Sequence, residues 1–238
     1  MNTNNELILL KESVAKPIYN ITPFTLLDYP HKSACILWFA GCNMRCLYCY
    51  NPEIVFGKGI IKFENALQFL KSRKGLLDAV VFSGGECLMH KKSILFIEEV
   101  KKMGFLVKID TNGSQPKILE ELIAKKLIDY VAIDFKAMPS NFEKITKSQL
   151  FNSFEKSLHL LLQRTIPFEV RTTVHSELLN KNDIQEMISY LEKTGYAGNY
   201  YIQHFMNDAT TIEKLGYSLK NIENENLSTD KIKVHFRG

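Results

Sequence analysis

Three cysteines stand in one short stretch, Gly41-Cys42-Asn43-Met44-Arg45-Cys46-Leu47-Tyr48-Cys49-Tyr50-Asn51-Pro52. Thiolates at this spacing can wrap a single ion or cluster from one loop, and sulfur ligands suit zinc or iron–sulfur. A structural zinc site wants four protein ligands. This stretch offers three, so zinc would need a fourth from Cys35, Cys87, His31 or His90, brought in by the fold. Three thiolates alone suit a four-iron cluster with one iron left open. On spacing alone both readings stand. A total of five cysteines, three of them clustered, is not a disulfide framework.

Further polar groups punctuate short apolar runs: Ser83-Gly84-Gly85-Glu86, Asp110-Thr111-Asn112-Gly113, Asp134-Phe135-Lys136, Arg171 within Val170–Val174, and Gln203-His204. Two glycines let a backbone approach a ligand closely, and Glu86 can accept from an ammonium. Taken singly, Gly-Gly and Asn-Gly read as turns, and His204 as a structural histidine. Arg171 is different, because an unpaired charge inside an apolar strand is costly.

The elements that must position these groups alternate along the chain. Strands are expected at Ala34–Phe39, Ala79–Phe82, Phe105–Ile109, Tyr130–Phe135, Phe168–Val174 and Tyr200–Phe205, each short and rich in β-branched or aromatic residues. Helical periodicity marks Phe63–Lys74, Ser93–Met103, Pro116–Leu127, Leu150–Leu162 and Asn182–Lys193. Near-continuous apolar strands joined by helical crossovers imply a parallel sheet built from right-handed βα units. The fold class is therefore α/β. Six strands are too few for an eight-fold barrel, so a partial (β/α)6 barrel is expected, with a doubly wound sheet as the alternative. Both place their chemistry at the C-terminal ends of the strands. One domain over 1–238 is expected, with a leader arm over 1–33, a core over 34–206 and a tail over 207–238. The tail ends in a short strand at Lys231–Phe236.

Composition narrows the function classes. The 238 residues are 45% hydrophobic and 24% charged, as in ordinary globular proteins. A net charge of +4, from 30 basic and 26 acidic residues without long like-charged runs, gives no reason to propose nucleic acid. The longest uncharged apolar stretch, Ser33–Met44, is far short of the roughly 18 residues of a membrane span. Leu7–Leu10 is too short for a secretory signal. A soluble, cytoplasmic protein without a membrane partner is expected.

The C-x3-C-x2-C pattern, with aromatic Tyr48 before its last cysteine, resembles the radical S-adenosylmethionine (SAM) superfamily. That resemblance implies one [4Fe–4S] cluster on Cys42, Cys46 and Cys49, its open iron chelated by SAM, and a partial barrel of the radical SAM type. Ser83-Gly84-Gly85-Glu86 resembles the family's GGE motif, which receives the methionine amino group. Asp110-Thr111-Asn112-Gly113 is similar to the DTNG of the glycyl-radical activating enzymes, in which Asp110 would face the ribose. Asp134-Phe135-Lys136 resembles their D-hydrophobic-K element. Arg171 matches an arginine placed near the SAM carboxylate, and Gln203-His204 falls where members contact the adenosine. In some relatives a monovalent cation sits beside these motifs, which makes Asp110, Thr111 and Asp134 candidate ligands.

Leu27-Asp28-Tyr29-Pro30, Phe39-Ala40-Gly41-Cys42-Asn43 and Asn51-Pro52 narrow the resemblance to the activating proteins of anaerobic ribonucleoside-triphosphate reductase. Two departures are Tyr50, where members usually carry His, and Cys87, where they carry proline or a small residue. The implied reaction is one-electron cleavage of SAM to methionine and a 5′-deoxyadenosyl radical, which abstracts hydrogen from a glycine of a partner enzyme. A flavodoxin- or ferredoxin-like donor would supply the electron. The cofactors carry the hard chemistry, so no general acid or base is called for. No cysteine follows Cys87, which speaks against a second cluster. Cys35 reads as core. Two alternatives stand beside this reading. One is a radical SAM enzyme acting on a small molecule, such as a deazapurine synthase, or activating another glycyl radical enzyme. The other is a zinc-stabilised binding module.

Overall fold

The burial pattern of the first predicted strand is nearly continuous, and the same holds for its neighbours. Strand β2 (Ala34–Phe39) buries five of its six residues, and β3 (Ala79–Gly84) buries Ala79 to Phe82. Such strands need cover on both faces, as parallel strands flanked by helices have. The computed structural model describes residues 15–220, 222 and 227–237. Within them lie two compact units, one drawn from residues 15–43, Glu53–Thr111 and Lys117–Val131, the other from Met44–Pro52, Asn112–Pro116 and the described residues from Ala132 onward.

In the first unit β2, β3 and β4 (Leu106–Thr111) pair in parallel. A further strand, β1 (Ile18–Thr25), runs antiparallel to β2. The sequence reading placed these residues in the leader arm. Their alternation is weak because β1 is half-buried, with Ile18 and Thr25 buried and Phe24 exposed. Helix α1 (Pro52–Phe56) is short. Helices α2 (Phe63–Arg73) and α3 (Ser93–Lys102) bury residues at i, i+3, i+4 and i+7: Phe63, Ala66, Leu67 and Leu70 in one, Ser93, Phe96, Ile97 and Val100 in the other. Phe63 stacks on Phe96 at 4.4 Å, and Phe96 meets Phe82 edge-on at 5.8 Å. Each buried phenylalanine contributes about 1.5–3 kcal/mol, so this cluster fixes the two helices against β3. Helix α4 (Pro116–Ala124) stops earlier than the expected Leu127. Lys126 there turns left-handed at φ 54° and donates to Ile123 O, while Leu127 N donates to Leu122 O.

Strand β5 (Tyr130–Asp134) carries the chain into the second unit. There β6 (Phe168–Val174), β7 (Gly198–His204) and β8 (Ile232–Arg237) pair in parallel; β8 was expected one residue earlier, over Lys231–Phe236. Helix α5 (Pro139–Thr146), absent from the sequence reading, starts on Pro139 and ends at Lys147 in the left-handed conformation. Helix α6 (Phe151–Leu162) buries Phe154, Ser157, Leu158 and Leu161. Helix α7 (Lys181–Lys193) opens on a capping box, where Asn180 Oδ1 accepts from Asn182 N and Asp183 N and Asp183 Oδ2 accepts from Asn180 N. Such a cap contributes about 1 kcal/mol. The expected α/β class with a parallel sheet is the observed one. No helix among the described residues is long and apolar enough to cross a membrane.

Candidate active site

Four candidate residues of the first unit form one group at the ends of β3 and β4. Ser83 Oγ donates to Asp110 Oδ2 at 3.2 Å, and Lys108 Nζ donates to Asp110 Oδ1. Glu86 is fully buried and accepts from Thr111 Oγ1, 3.0 Å from each carboxylate oxygen, and from Leu88 N at 3.1 Å. A buried carboxylate requires such donors, because desolvation of an uncompensated charge would unfold the site. Cys87 is buried, with Sγ 3.5 Å from Asp110 O. Burial, then Glu86 and Asp110, push its thiol well above the ordinary range.

Gly84 and Gly85 are also required by the packing of the backbone. A Cβ on Gly85 would lie 1.9 Å from Gly41 O, and one on Gly84 would lie 2.5 Å from Phe39 N, with Gly84 at φ +111°. Gly85 N donates to Phe39 O at 2.8 Å and Glu86 N to Gly41 O at 2.9 Å. The glycines let the loop after β3 lie directly on the backbone that leads into Cys42.

In the second unit Asp134, at the end of β5, receives Arg171 Nε and Nη2 on Oδ1, each at 3.0 Å, and Lys136 Nζ on Oδ2 at 3.0 Å. Burial alone would raise the Asp134 carboxyl, but Lys136 and Arg171 outweigh it and hold it below the usual range. Burial likewise opposes the charge of Lys136, yet Asp134, then the Tyr48 phenol and the Cys46 sulfur, keep it well above its ordinary value. Lys136 Nζ lies 5.9 Å from the centre of the Tyr48 ring. Arg171 of β6 is thus paired with Asp134 of β5, as the cost of a buried charge demands.

The part of the cysteine loop in this unit, Met44–Pro52, is tied down by its backbone. Arg45 N donates to Thr146 O at 2.8 Å and Leu47 N to Ile145 O at 3.0 Å, so the last carbonyls of α5 are capped by the residues flanking Cys46. The segment after β7 holds the other side: Ile212 N donates to Cys49 O at 3.3 Å, Glu213 N to Leu47 O at 3.1 Å, and Met206 N to Tyr50 Oη at 2.8 Å. Tyr50 also stacks on Phe205 at 5.4 Å. The expected polar tail therefore begins as a clamp on the cysteine loop.

Asn112 is buried and accepts Ser114 N at 2.9 Å, which closes the turn of the DTNG stretch. His204 is buried with its ring stacked on Phe236 at 5.5 Å, and Gln203 pairs in register with Thr173 and Arg237. Two of the residues considered as a fourth zinc ligand, Cys35 and His90, have other surroundings. Cys35 is buried in β2, its thiol pushed up to about 12 by burial, and His90 Nε2 donates to Ala40 O at 3.0 Å. The sequence reading missed Lys108, hidden in an apolar strand; its one signal was an i, i+2 spacing from Asp110, which puts both on one face of β4.

The donor chemistry fits a thiolate-bound cluster. None of the five cysteines is in a disulfide, and Cys42 and Cys49 are partly exposed while Cys46 is buried. No three His, Cys, Asp or Glu side chains among the described residues are gathered at metal-holding separations; the three thiols are near neighbours in sequence, within eight residues of one another. Tyr48 Oη is buried without a hydrogen-bond partner among the described residues, a group suited to a further polar ligand atom. Of the candidate cation ligands, Asp110 is engaged by Lys108 and Ser83, Thr111 by Glu86, and Asp134 by Lys136 and Arg171.

The sequence profile of the radical SAM superfamily matches residues 36–191. The chain is 33% identical over 198 residues to a Methanocaldococcus jannaschii protein provisionally named a glycyl-radical enzyme activating enzyme, with 79% of each chain covered. It is 32% identical over 126 residues to the pyruvate formate-lyase-activating enzyme of Clostridium pasteurianum, covering 50% of this chain and 52% of that one. A GTP 3′,8-cyclase of Clostridium botulinum is 26% identical over 163 residues, covering 64% and 50%. Among solved structures, Streptococcus suis SuiB bound to S-adenosylmethionine superposes with a TM-score of 0.62 at 12% identity, covering 85% of this chain and 52% of that one. The chain belongs to the radical SAM superfamily.

Proposed function

We propose that this chain is an activating enzyme that generates a glycyl radical on a partner protein, and that the partner is an anaerobic ribonucleoside-triphosphate reductase. Cys42, Cys46 and Cys49 would hold one [4Fe–4S] cluster. When bound and reduced, the cluster supplies the electron that cleaves SAM to methionine and a 5′-deoxyadenosyl radical. The chain's own residues bind and orient SAM. Glu86, fixed by Thr111, accepts the methionine ammonium. Asp110 faces the ribose hydroxyls. Arg171, held by Asp134 with Lys136, presents the positive charge that the methionine carboxylate requires. Tyr48, Ser83, Asn112, Gln203 and His204 complete the contacts. The family match runs through both units, which supports their working as one catalytic domain of a cytoplasmic protein.

The observation that carries the activating role is the extent of likeness. The Methanocaldococcus jannaschii relative is 33% identical and covered over 79% of its length, whereas the Clostridium botulinum GTP cyclase is 26% identical and covered over 50%. The reductase as partner rests on the Leu27-Asp28-Tyr29-Pro30 and Phe39–Asn43 stretches, and a flavodoxin- or ferredoxin-like protein is the electron donor in keeping with that assignment. The test is anaerobic reconstitution with iron and sulfide, followed by reduction, SAM addition and assay of 5′-deoxyadenosine. Formation of the nucleoside in the wild type, and its loss in Cys42→Ala, Cys46→Ala and Cys49→Ala, is expected. A colourless, zinc-holding protein inert toward SAM would overturn the assignment.

A further inference from the structure

Two carboxylates at strand ends in this chain each receive a lysine ammonium from two positions away. In the second unit the pair is Asp134 and Lys136, at 3.0 Å. In the first it is Asp110 and Lys108, whose side chains are 11% and 2% exposed. Lys108 is the unexpected member. It occupies the middle of β4, between Val107 and Ile109, which are fully buried. Residues i and i+2 of a strand share one face, so the lysine stem runs beneath the aspartate and delivers its ammonium to Oδ1, while Ser83 Oγ occupies Oδ2. The adjacent Thr111 hydroxyl is turned to Glu86. A potassium or sodium ion seeking these oxygens would meet an ammonium already in contact, and two unit charges at such separations repel strongly away from bulk water.

We propose that Lys108 is a built-in counter-cation of the SAM site: its ammonium compensates and orients Asp110 in place of a free monovalent cation, so SAM binding by this chain is indifferent to potassium and sodium. This rests on the reading of Asp110 as a SAM-binding residue. Lys108 itself is a positioning residue, acting on SAM through Asp110. The energetic logic is that of a buried ion pair. The pair is tolerable while both charges are present, but removal of one partner leaves the other uncompensated. Take away the lysine, and the vacated volume beside a buried carboxylate becomes a place where a small cation is favoured.

The experiment compares potassium chloride with choline chloride at equal ionic strength. It reads the melting temperature of the cluster-free full chain and the SAM affinity of the cluster-loaded chain. The wild type is expected to give the same values in both salts. Lys108→Met is expected to bind SAM about tenfold or more weakly in choline, as when a buried charge loses its partner, and to melt lower. Potassium should restore both. The double variant Lys108→Met/Asp110→Asn, with no carboxylate to neutralise, should again ignore the salt. Lys108→Arg, which keeps a cation on the stem, should behave as the wild type does.

The proposal is overturned if the wild type loses SAM affinity in choline, or if Lys108→Met responds to neither salt. It is equally overturned if the double variant keeps a potassium response. Should Lys108→Met fail to fold, the wild-type comparison and Lys108→Arg still decide the matter. An error in the SAM reading looks different: SAM binds in no salt, while the melting temperatures follow the expected pattern.

Discussion

The hydroxyl of Thr111 lies 3.0 Å from both carboxylate oxygens of Glu86. The two residues come from adjacent parallel strands, one at the end of β4 and the other just past β3. Glu86 is thereby fixed by a neighbouring motif rather than by its own loop alone, and the GGE stretch and Asp110-Thr111 act as one device within the first unit.

Removing that hydroxyl while keeping the side-chain shape isolates its role. Thr111→Val should lower stability by about 1–3 kcal/mol, the cost of leaving a buried acceptor short of a donor. SAM affinity should fall several-fold with cluster content unchanged. Chemical denaturation and SAM titration check the two effects, and an unchanged affinity would separate Glu86 from the binding of SAM.

Gly85 offers a steric test. A methyl group there would collide with Gly41 O at 1.9 Å, whereas at Gly75, with φ +81°, it meets nothing within 4 Å. Gly75→Ala should cost about 1 kcal/mol from backbone strain alone. Gly85→Ala should displace the backbone leading to Cys42 and reduce the iron bound per chain on reconstitution. Equal iron content in both variants would contradict the close packing.

Arg171 contacts Asp134 through Nε and Nη2, a geometry that a lysine cannot reproduce. Arg171→Lys should therefore weaken SAM binding about tenfold, the order of a lost charge-assisted hydrogen bond, while absorbance of the cluster stays the same. Anaerobic titration with SAM is the check.

The pH dependence of stability carries a sign. Lys136 and Arg171 outweigh burial and hold Asp134 below its ordinary pKa. A depressed carboxyl contributes stability that is complete above the unfolded value, about 3.9, and is lost as pH falls through the folded value. Wild type should exceed Asp134→Asn in denaturation midpoint by a constant margin near neutrality. That margin should shrink below about pH 4. A margin that grows on acidification would reverse the assigned electrostatics.

The βα alternation was legible because buried parallel strands read as short apolar runs and the helices repeat their buried positions at i, i+3, i+4 and i+7, as in Ile184, Met187, Ile188 and Leu191. The cysteine loop and the strand-end motifs were legible because their chemistry lies in contiguous residues. Strand β1 was not, since an edge strand with half-buried faces lacks a clean pattern. Helix α5 was missed because its eight residues include few apolar ones, and its ending depends on the amides of Arg45 and Leu47. The backbone contact of Gly85 was not legible, because a tight backbone contact and a ligand contact demand the same residue. Lys108 was invisible for a simpler reason, namely that its partner is two residues away on a face that only the folded strand defines.

The most direct measurement of the central claim is electron paramagnetic resonance on an anaerobic mixture of the reconstituted chain, a reductant, SAM and an anaerobic ribonucleoside-triphosphate reductase. The account predicts a protein-centred glycyl radical signal on the reductase, accompanied by 5′-deoxyadenosine and absent with the Cys46→Ala chain. Nucleoside formation without any radical on the reductase, together with turnover of a small molecule, would contradict it.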